Sequence, residues 1–508
     1  MSEGLNTLAE LVKAQATLSP AILSPGRPPL RYGALYSVMM RVRTSLRAVG
    51  IGKADRVAIV MPDSAETAVT FLAVASAATA APLNPAYKRE EFSYYLSDLR
   101  VKALIVADGD ETVAREAARA LSIPVLTVHS DGDGVPAIEL GSVAKARAVA
   151  DEDTCATDPA LLLHTSGTTS KPKIVPLTQL NLTTSARNIA TTLALSPADR
   201  GLLIMPLFHI HGLMGALLSA IASGGSVFCG TGFNALKVFG WLDEADPTWY
   251  SAVPTMHQAI LGRAARNSEI VATSRLRFIR SSSAPTPPTV IRELEHTFRC
   301  PVIESYGMTE ASHQMASNPL PPAVRKPGTV GLAAGPDVAI MGEGGQLLPA
   351  GAVGEIVIAG ANVTAGYENR PEANAEAFHN GWFRTGDLGV IDDEGYLTIS
   401  GRLKEIINRG GEKISPREVD DILTEHPAVE QALTFGVPSS RLGEEVGAAV
   451  VLREGAALTE AEIRNYAAER LAAFKVPRHV VFLEEIPKGP TGKLQRIGLA
   501  DKLGMGER

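Results

Sequence analysis

The chain reads as an α/β protein of more than one domain, and three observations carry that expectation. Its 508 residues exceed what a single hydrophobic core organises. Over roughly the first 320 residues, short apolar runs alternate with helical patterns, which implies parallel sheets covered by helices. The texture then changes twice. After Pro327 come short strands between Gly- and Asp-rich turns, and beyond Gly401-Arg-Leu-Lys404 lies a compact α+β segment of about 100 residues.

In chain order, Arg56-Val-Ala-Ile-Val-Met61 reads as a buried strand, followed by a helix from about Ala65. The apolar run Ala65 to Pro82 is rich in Ala and Thr and contains Glu66, so it reads as a buried helix rather than a membrane span. Ala103-Leu-Ile-Val-Ala107 and Pro124-Val-Leu-Thr-Val128 read as strands around a helical stretch from Glu111 to Leu121. Ala160-Leu-Leu-Leu-His164, Gly201-Leu-Leu-Ile-Met205 and Arg277-Phe-Ile-Arg280 repeat the theme. Pro319 to Pro327 reads as a loop. Val338-Ala-Ile-Met341, Gly354-Glu-Ile-Val-Ile-Ala359 and Gly395-Tyr-Leu-Thr-Ile-Ser400 suggest a small antiparallel unit, with the main domain boundary near Ser400.

Composition narrows the function. A net charge of -7 argues against a nucleic-acid partner, which would call for a basic excess. Cys155, Cys229 and Cys300 fit neither a disulfide framework nor a zinc site, so a reducing compartment is expected. No signal-peptide pattern opens the chain, and Gly506-Glu507-Arg508 is not a peroxisomal address. A cytoplasmic location is the expectation.

The strongest local signal is Leu163-His-Thr-Ser-Gly-Thr-Thr-Ser-Lys-Pro-Lys173. Gly167 lets backbone approach an anion closely. Thr165, Ser166, Thr168 and Thr169 supply hydroxyl donors, backbone amides can add more, and Lys173 supplies charge. The loop suits a polyphosphate, although no Gly-Lys-Ser/Thr closes it as a Walker loop would. The same residues also fit a polar turn between strand and helix. The segment resembles the phosphate-binding signature of the adenylate-forming superfamily of acyl-CoA synthetases, luciferases and peptide-synthetase adenylation domains. Ser170 and Ile174 stand where that family usually has glycine.

Five further segments resemble the family's motifs in the same order. Tyr306-Gly-Met-Thr-Glu310 is similar to the motif whose aromatic ring packs on adenine and whose glutamate holds magnesium, an ion that prefers oxygen ligands. Trp382-Phe-Arg-Thr-Gly-Asp387 resembles the motif whose aspartate binds the ribose hydroxyls. Gly401-Arg-Leu-Lys-Glu-Ile-Ile407 resembles the hinge segment, with Arg402 on ribose or phosphate and Lys404 as the pivot. Asn408-Arg-Gly-Gly-Glu-Lys-Ile-Ser-Pro416 resembles the loop lining the pantetheine tunnel, where Gly410 and Gly411 would let backbone pass a thin thiol arm. Pro487-Lys-Gly-Pro-Thr-Gly-Lys493 resembles the C-terminal motif that carries the adenylation lysine, Lys493.

The resemblance implies a fold and a chemistry. The fold is a large N-terminal domain of two α/β subdomains plus a small β-barrel (residues 1–400), a hinge (401–404) and a mobile C-terminal α+β domain (405–508). ATP and coenzyme A are the implied substrates and Mg²⁺ the implied cofactor. Lys493, Glu310 and Thr309 are the implied catalytic residues, and Glu310 and Thr168 the implied metal ligands. Ser283, Ala284, Glu304 and Gly307 join the hydroxyl loop, Lys173, Tyr306, Asp387 and Arg402 around the nucleotide. The competing classes are a ligase for another small, a medium-chain or an aryl carboxylic acid, a carrier-protein loading enzyme, and a nucleotide-binding protein without catalysis.

The acid is legible in part. Pro206-Leu-Phe-His-Ile-His211 precedes a Gly-rich apolar helix, Arg280-Ser-Ser-Ser-Ala-Pro285 follows a strand end, and Ala311-Ser-His313 follows the magnesium motif. In the superfamily these places face the acyl pocket. His211, Ser282, Ser283 and His313 would suit a compact polar acid, since burying a second carboxylate requires donors or positive charge. The histidines also fit a structural role. Met308 to Pro319, with Arg325-Lys-Pro-Gly328, resembles the plant and yeast oxalate–CoA ligases, which points to oxalate.

Overall fold

The computed structural model describes residues 4–129, 139–141, 148–165, 172–487 and 494–505. Contacts among them cluster into two compact units. One comprises the chain up to Val338, apart from residues 166–172, together with Ile358–Phe383. The other holds Ala339–Val357 and the chain from Arg384.

The first unit contains two parallel sheets. In one, Val125–His129, Ala103–Ala107, Arg56–Val60 and Thr79–Pro82 lie side by side in parallel, followed by Pro159–Thr165. Lys173–Thr178 returns antiparallel beside Pro159–Thr165. In the other sheet, Pro20–Leu23, Ser226–Cys229, Arg200–Leu203, Trp249–Ala252, Phe278–Ser281 and Val302–Met308 follow one another in parallel. His313–Ser317 then turns back antiparallel. Strands covered on both faces read as continuous apolar runs rather than alternations, which is why the sequence marks their positions without marking their faces.

One expectation needs correction. The run Ala65 to Pro82 is not a single helix. Its helix, Ala65–Ala75, is capped by Ser64, whose hydroxyl accepts from the Thr67 amide at 3.2 Å, and Thr79–Pro82 is a strand. Uniform apolar character hides the break, because helix and strand are equally buried here. No helix among the described residues is long and apolar enough to cross a membrane.

A third sheet has five strands: Asp337–Met341, Gly354–Ala359, Phe378–His379, Trp382–Ile391 and Leu397–Arg402. It is a curled half-barrel, where the resemblance implies a small β-barrel. The second unit carries a small α+β sheet built on the long hairpin Val429–Ser439 and Gly443–Leu452. Ile407–Arg409 and His479–Phe482 both pair with Gly443–Leu452, and the helix Pro416–Thr424 packs on the hairpin.

Candidate active site

In the first unit, Pro159–Thr165 and Lys173–Thr178 form an antiparallel pair in which Thr165 stands opposite Lys173. The connection between them carries Ser166, Gly167, Thr168 and Thr169, which lie outside the described residues. Just before it, the buried imidazole of His164 meets the Asp98 carboxylate, Nε2 to Oδ2 at 2.9 Å. Burial lowers the His164 pKa and Asp98 opposes that shift.

Lys173 introduces a residue the sequence reading missed. Its Nζ sits 4.3 Å from the centre of the Tyr367 ring, a cation–π contact. The Tyr367 hydroxyl donates to Glu310 Oε1 at 2.8 Å. Burial, with Glu310 beside it, pushes the phenol up, so it stays protonated and remains the donor. The Thr364 amide donates to the Glu310 carbonyl at 2.7 Å. Glu310 is itself buried and begins its chemistry from a short 3₁₀ turn, Thr309–Ala311. Tyr306 and Glu304 lie on the adjoining strand Val302–Met308. Gly307 backs onto the neighbouring strand so closely that a Cβ there would come within 1.8 Å of the His313 carbonyl oxygen.

The residues expected at the acyl pocket come together in part. His211 opens the π-helix His211–Leu218. Its Nδ1 lies 3.0 Å from Ser283 Oγ and its Nε2 lies 2.6 Å from Ser251 Oγ. The His211 and His313 rings meet edge to face, 4.9 Å between centres. Ser283 (φ 72°) and His313 (φ 96°) both hold left-handed backbone, which non-glycine residues adopt at a cost. Ser282 does not join this group. Its hydroxyl donates to the Ser305 carbonyl at 3.1 Å and ties two neighbouring strands together. Ala284 is exposed beside Ser283.

Arg280 joins this group, although the sequence pattern does not mark it as a site residue. It is fully buried, on the strand Phe278–Ser281, among these same groups. Its Nη1 reaches Ser251 Oγ at 3.4 Å and its Nη2 reaches Gln314 Oε1 at 3.1 Å. The Gln314 amide nitrogen is engaged by Thr192 Oγ1 and the Ala334 carbonyl, which fixes its oxygen toward Arg280.

In the second unit, Asp387 is buried and its Oδ1 accepts from Arg402 Nε at 2.9 Å, across the strand pair in which the two residues are opposed. Lys404 sits exposed in a 3₁₀ turn, Leu403–Glu405. Gly410 (φ 61°) and Gly411 (φ 98°) form the two-residue turn of the hairpin Ile407–Arg409 and Glu412–Ile414. Positive φ at both central positions is what such a turn requires. Lys493 lies outside the described residues. Three positions later, the Arg496 guanidinium binds Asp420 Oδ2 at 2.5 Å and Glu405 Oε2 at 3.2 Å.

The model of AMP-binding enzymes matches residues 17–368, and that of the AMP-binding enzyme C-terminal domain matches residues 418–493. The chain is 44% identical to an oxalate–CoA ligase of Arabidopsis thaliana, over 97% of this chain and 98% of that one. It is 38% identical to a sulfoacetate–CoA ligase of Cupriavidus necator, over 98% of each. Among solved structures, ATP-bound MatB from Rhodopseudomonas palustris superposes with a TM-score of 0.88 at 31% identity, covering 98% of this chain and 99% of that one. The o-succinylbenzoate coenzyme A synthetase of Bacillus subtilis, in complex with ATP and magnesium, superposes with a TM-score of 0.82 at 29% identity, covering 97% and 99%. The chain belongs to the AMP-binding enzymes, the adenylate-forming acyl-CoA synthetase superfamily, and is an acid–CoA ligase.

Proposed function

We propose that the acid is oxalate and the product oxalyl-CoA. The observation that supports this most directly is the polar group formed by the buried His211 and His313 with the exposed Ser283 hydroxyl beside them, where a fatty-acid ligase would need an apolar tunnel. Oxalate would bring a second carboxylate, and a buried carboxylate needs donors. The relative named an oxalate–CoA ligase adds to the case.

In the proposed reaction, one oxalate oxygen attacks the α-phosphorus of ATP and pyrophosphate leaves. The thiol of coenzyme A then attacks the acyl carbon, loses its proton, and AMP departs. Alignment and charge stabilisation lower the first barrier. Thr165, the hydroxyl loop and Lys173 would hold the phosphates, and Lys493 would stabilise the charge that develops there. Tyr306, Gly307, Glu304, Ser283 and Ala284 would surround the adenosine, and Asp387 and Arg402 its ribose. Turning of residues 405–508 about Lys404 would separate the two half-reactions, with Gly410 and Gly411 beside the thiol arm.

Magnesium fits the donors available. Glu310 presents a buried hard oxygen held by the Tyr367 hydroxyl. Among the described residues, no group of three or more His, Cys, Asp or Glu side chains could hold a metal alone, so the ion would be shared with the nucleotide's own oxygens. Glu310, with Thr168, would hold it, and when bound it neutralises charge on the phosphate oxygens. The unpaired cysteines suit a cytoplasmic enzyme.

Steady-state kinetics on oxalate, acetate and hexanoate, with CoA consumption as the readout, test the assignment. Oxalate should give the highest kcat/KM. His313→Ala should lower the oxalate-to-acetate ratio about tenfold to a hundredfold, the worth of one hydrogen bond to a charged group. Faster turnover of hexanoate than of oxalate by the wild type would remove oxalate from consideration. Transfer to a carrier protein in preference to free coenzyme A would change the acceptor instead.

A further inference from the structure

We infer that Ser251 is a positioning residue for the acid: through His211 it sets the direction of a hydrogen-bond relay that leaves the Ser283 hydroxyl with its hydrogen turned toward an anionic oxygen of the substrate. The inference rests on the reading above that His211 and Ser283 stand at the acid's site. It adds how their hydrogens are arranged and which buried residue arranges them, and it holds for any carboxylate.

The relay starts at Arg280, which is fully buried. A guanidinium has donors only. Burial lowers its pKa to about 9, so it keeps its hydrogens at neutral pH. Nη1 therefore donates to Ser251 Oγ, at 3.4 Å. Ser251 lies on the strand Trp249–Ala252 and is buried as well. Its hydroxyl carries one hydrogen, and a buried hydrogen without an acceptor is costly. Among the described residues, the second partner of that hydroxyl is His211 Nε2, at 2.6 Å. A hydrogen on Nε2 would set two donors against Ser251 and strand the serine's own hydrogen between them. Nε2 is thus the acceptor, and Nδ1 carries the imidazole hydrogen. Nδ1 lies 3.0 Å from Ser283 Oγ and donates to it. Ser283 gives a lone pair to that bond, so its own hydrogen points away from His211.

The two ends of the relay differ in exposure. Arg280, Ser251 and His211 are buried, whereas Ser283 and its neighbours Ala284 and Pro285 are exposed. The buried part is closely packed. A Cβ on Gly215, in the π-helix, would lie 2.8 Å from Arg280 Nη1, 2.8 Å from His313 Nε2 and 2.9 Å from His211 Cδ2. That packing leaves no space for a ligand inside the cluster, so it acts on the substrate through the hydroxyl at its edge. Ser283 stands at φ 72°, a conformation that the surrounding structure must impose. A hydroxyl held and oriented in this way donates to a carboxylate without reorganising. Without Ser251, the imidazole is released to its other tautomer. Nδ1 would then accept the Ser283 hydrogen, and the serine would turn its lone pairs on the anion.

The test compares wild type, Ser251→Ala, Ser283→Ala and the double variant, each checked by thermal melting. The readouts are kcat/KM for the preferred acid and KM for ATP. Ser283→Ala should lower kcat/KM for the acid about tenfold to a hundredfold, the worth of one hydrogen bond to a charged group. Ser251→Ala should lower it about tenfold and leave KM for ATP unchanged. Because Ser251 acts through Ser283, the double variant should be no slower than Ser283→Ala alone. Nitrogen NMR of isotope-labelled histidine, with His211 assigned by its loss in His211→Gln, should show the hydrogen on Nδ1 in wild type and its displacement toward Nε2 in Ser251→Ala. Losses that add in the double variant overturn the inference, and so does a wild-type His211 with its hydrogen on Nε2. A Ser251 that is only a packing residue would lower the melting temperature and leave the His211 signals in place, which also overturns it. A raised KM for ATP in Ser283→Ala, with the acid's kcat/KM unchanged, puts the donated hydrogen on the nucleotide and overturns the assignment to the acid. A wild type that prefers hexanoate to oxalate overturns the oxalate assignment alone, because the relay is read on whichever acid is preferred.

Discussion

Replacing Tyr367 by phenylalanine removes one oxygen atom and should weaken the enzyme's response to magnesium. The hydroxyl donates to Glu310 Oε1 at 2.8 Å, while the ring supports Lys173 Nζ at 4.3 Å. Phenylalanine keeps the ring and the cation–π contact and deletes only the donor. A hydrogen bond to a charged group contributes about 1.5–3 kcal/mol. If Glu310 holds the ion, that energy orients the carboxylate, and partners of this kind typically change metal affinity by about 10–100-fold. The assay is initial-rate pyrophosphate release against Mg²⁺ concentration, at saturating ATP and acid. The half-saturating Mg²⁺ concentration should rise by about that factor, with maximal rate recovered at high Mg²⁺. An unchanged Mg²⁺ dependence in a folded Tyr367→Phe enzyme would show that Glu310 needs no such support, or that it does not serve the metal.

Two other outcomes are expected. Lys493→Ala should slow adenylation by about 10²–10³-fold, the effect of losing one transition-state donor. It should leave thioester formation from preformed acyl-adenylate and coenzyme A largely intact, and equal loss in both half-reactions would remove Lys493 from its assigned role. The second concerns His257, which is fully buried and pushed by desolvation from 6.5 down to about 4. The unfolded chain takes up this proton below about 6.5 and the folded chain only near 4. Stability is therefore full above that window and falls with pH across it, by about 1.4 kcal/mol per pH unit and about 3 kcal/mol in total. Urea midpoints at several pH values should show His257→Phe with a shallower slope between pH 6.5 and 4, and equal slopes would refute the calculation.

Legibility followed the range of the interactions. Strands such as Arg56–Val60 and Ala103–Ala107 are encoded within a few residues, and the sequence announces them, whereas Thr79–Pro82 is masked by the apolar helix before it. The partners that organise the site are remote. Tyr367 reaches Glu310 across 57 positions and Ser283 reaches His211 across 72, and no local pattern marks either pair. Arg280 was hidden for another reason. Arginine is seldom fully buried, so one at a strand end reads as surface. In a sheet covered on both faces, no alternation corrects that reading. Ser282 shows the converse error: a hydroxyl beside the right residues whose bond goes to the backbone of the next strand.

The π-helix at 211–218 bears on how this pocket can diverge. Such a segment closes i→i+5 bonds, as when the Ser219 amide reaches the Met214 carbonyl, and so carries surplus residues relative to an α-helix over the same length. Deleting one residue within it would let the turn relax to α geometry with the flanking segments nearly in place, and the residues inside the segment would change face. His211 and Gly215 would then no longer face the same partners. A lineage could therefore exchange the lining of its acyl pocket by a single codon loss, with every catalytic motif left unchanged.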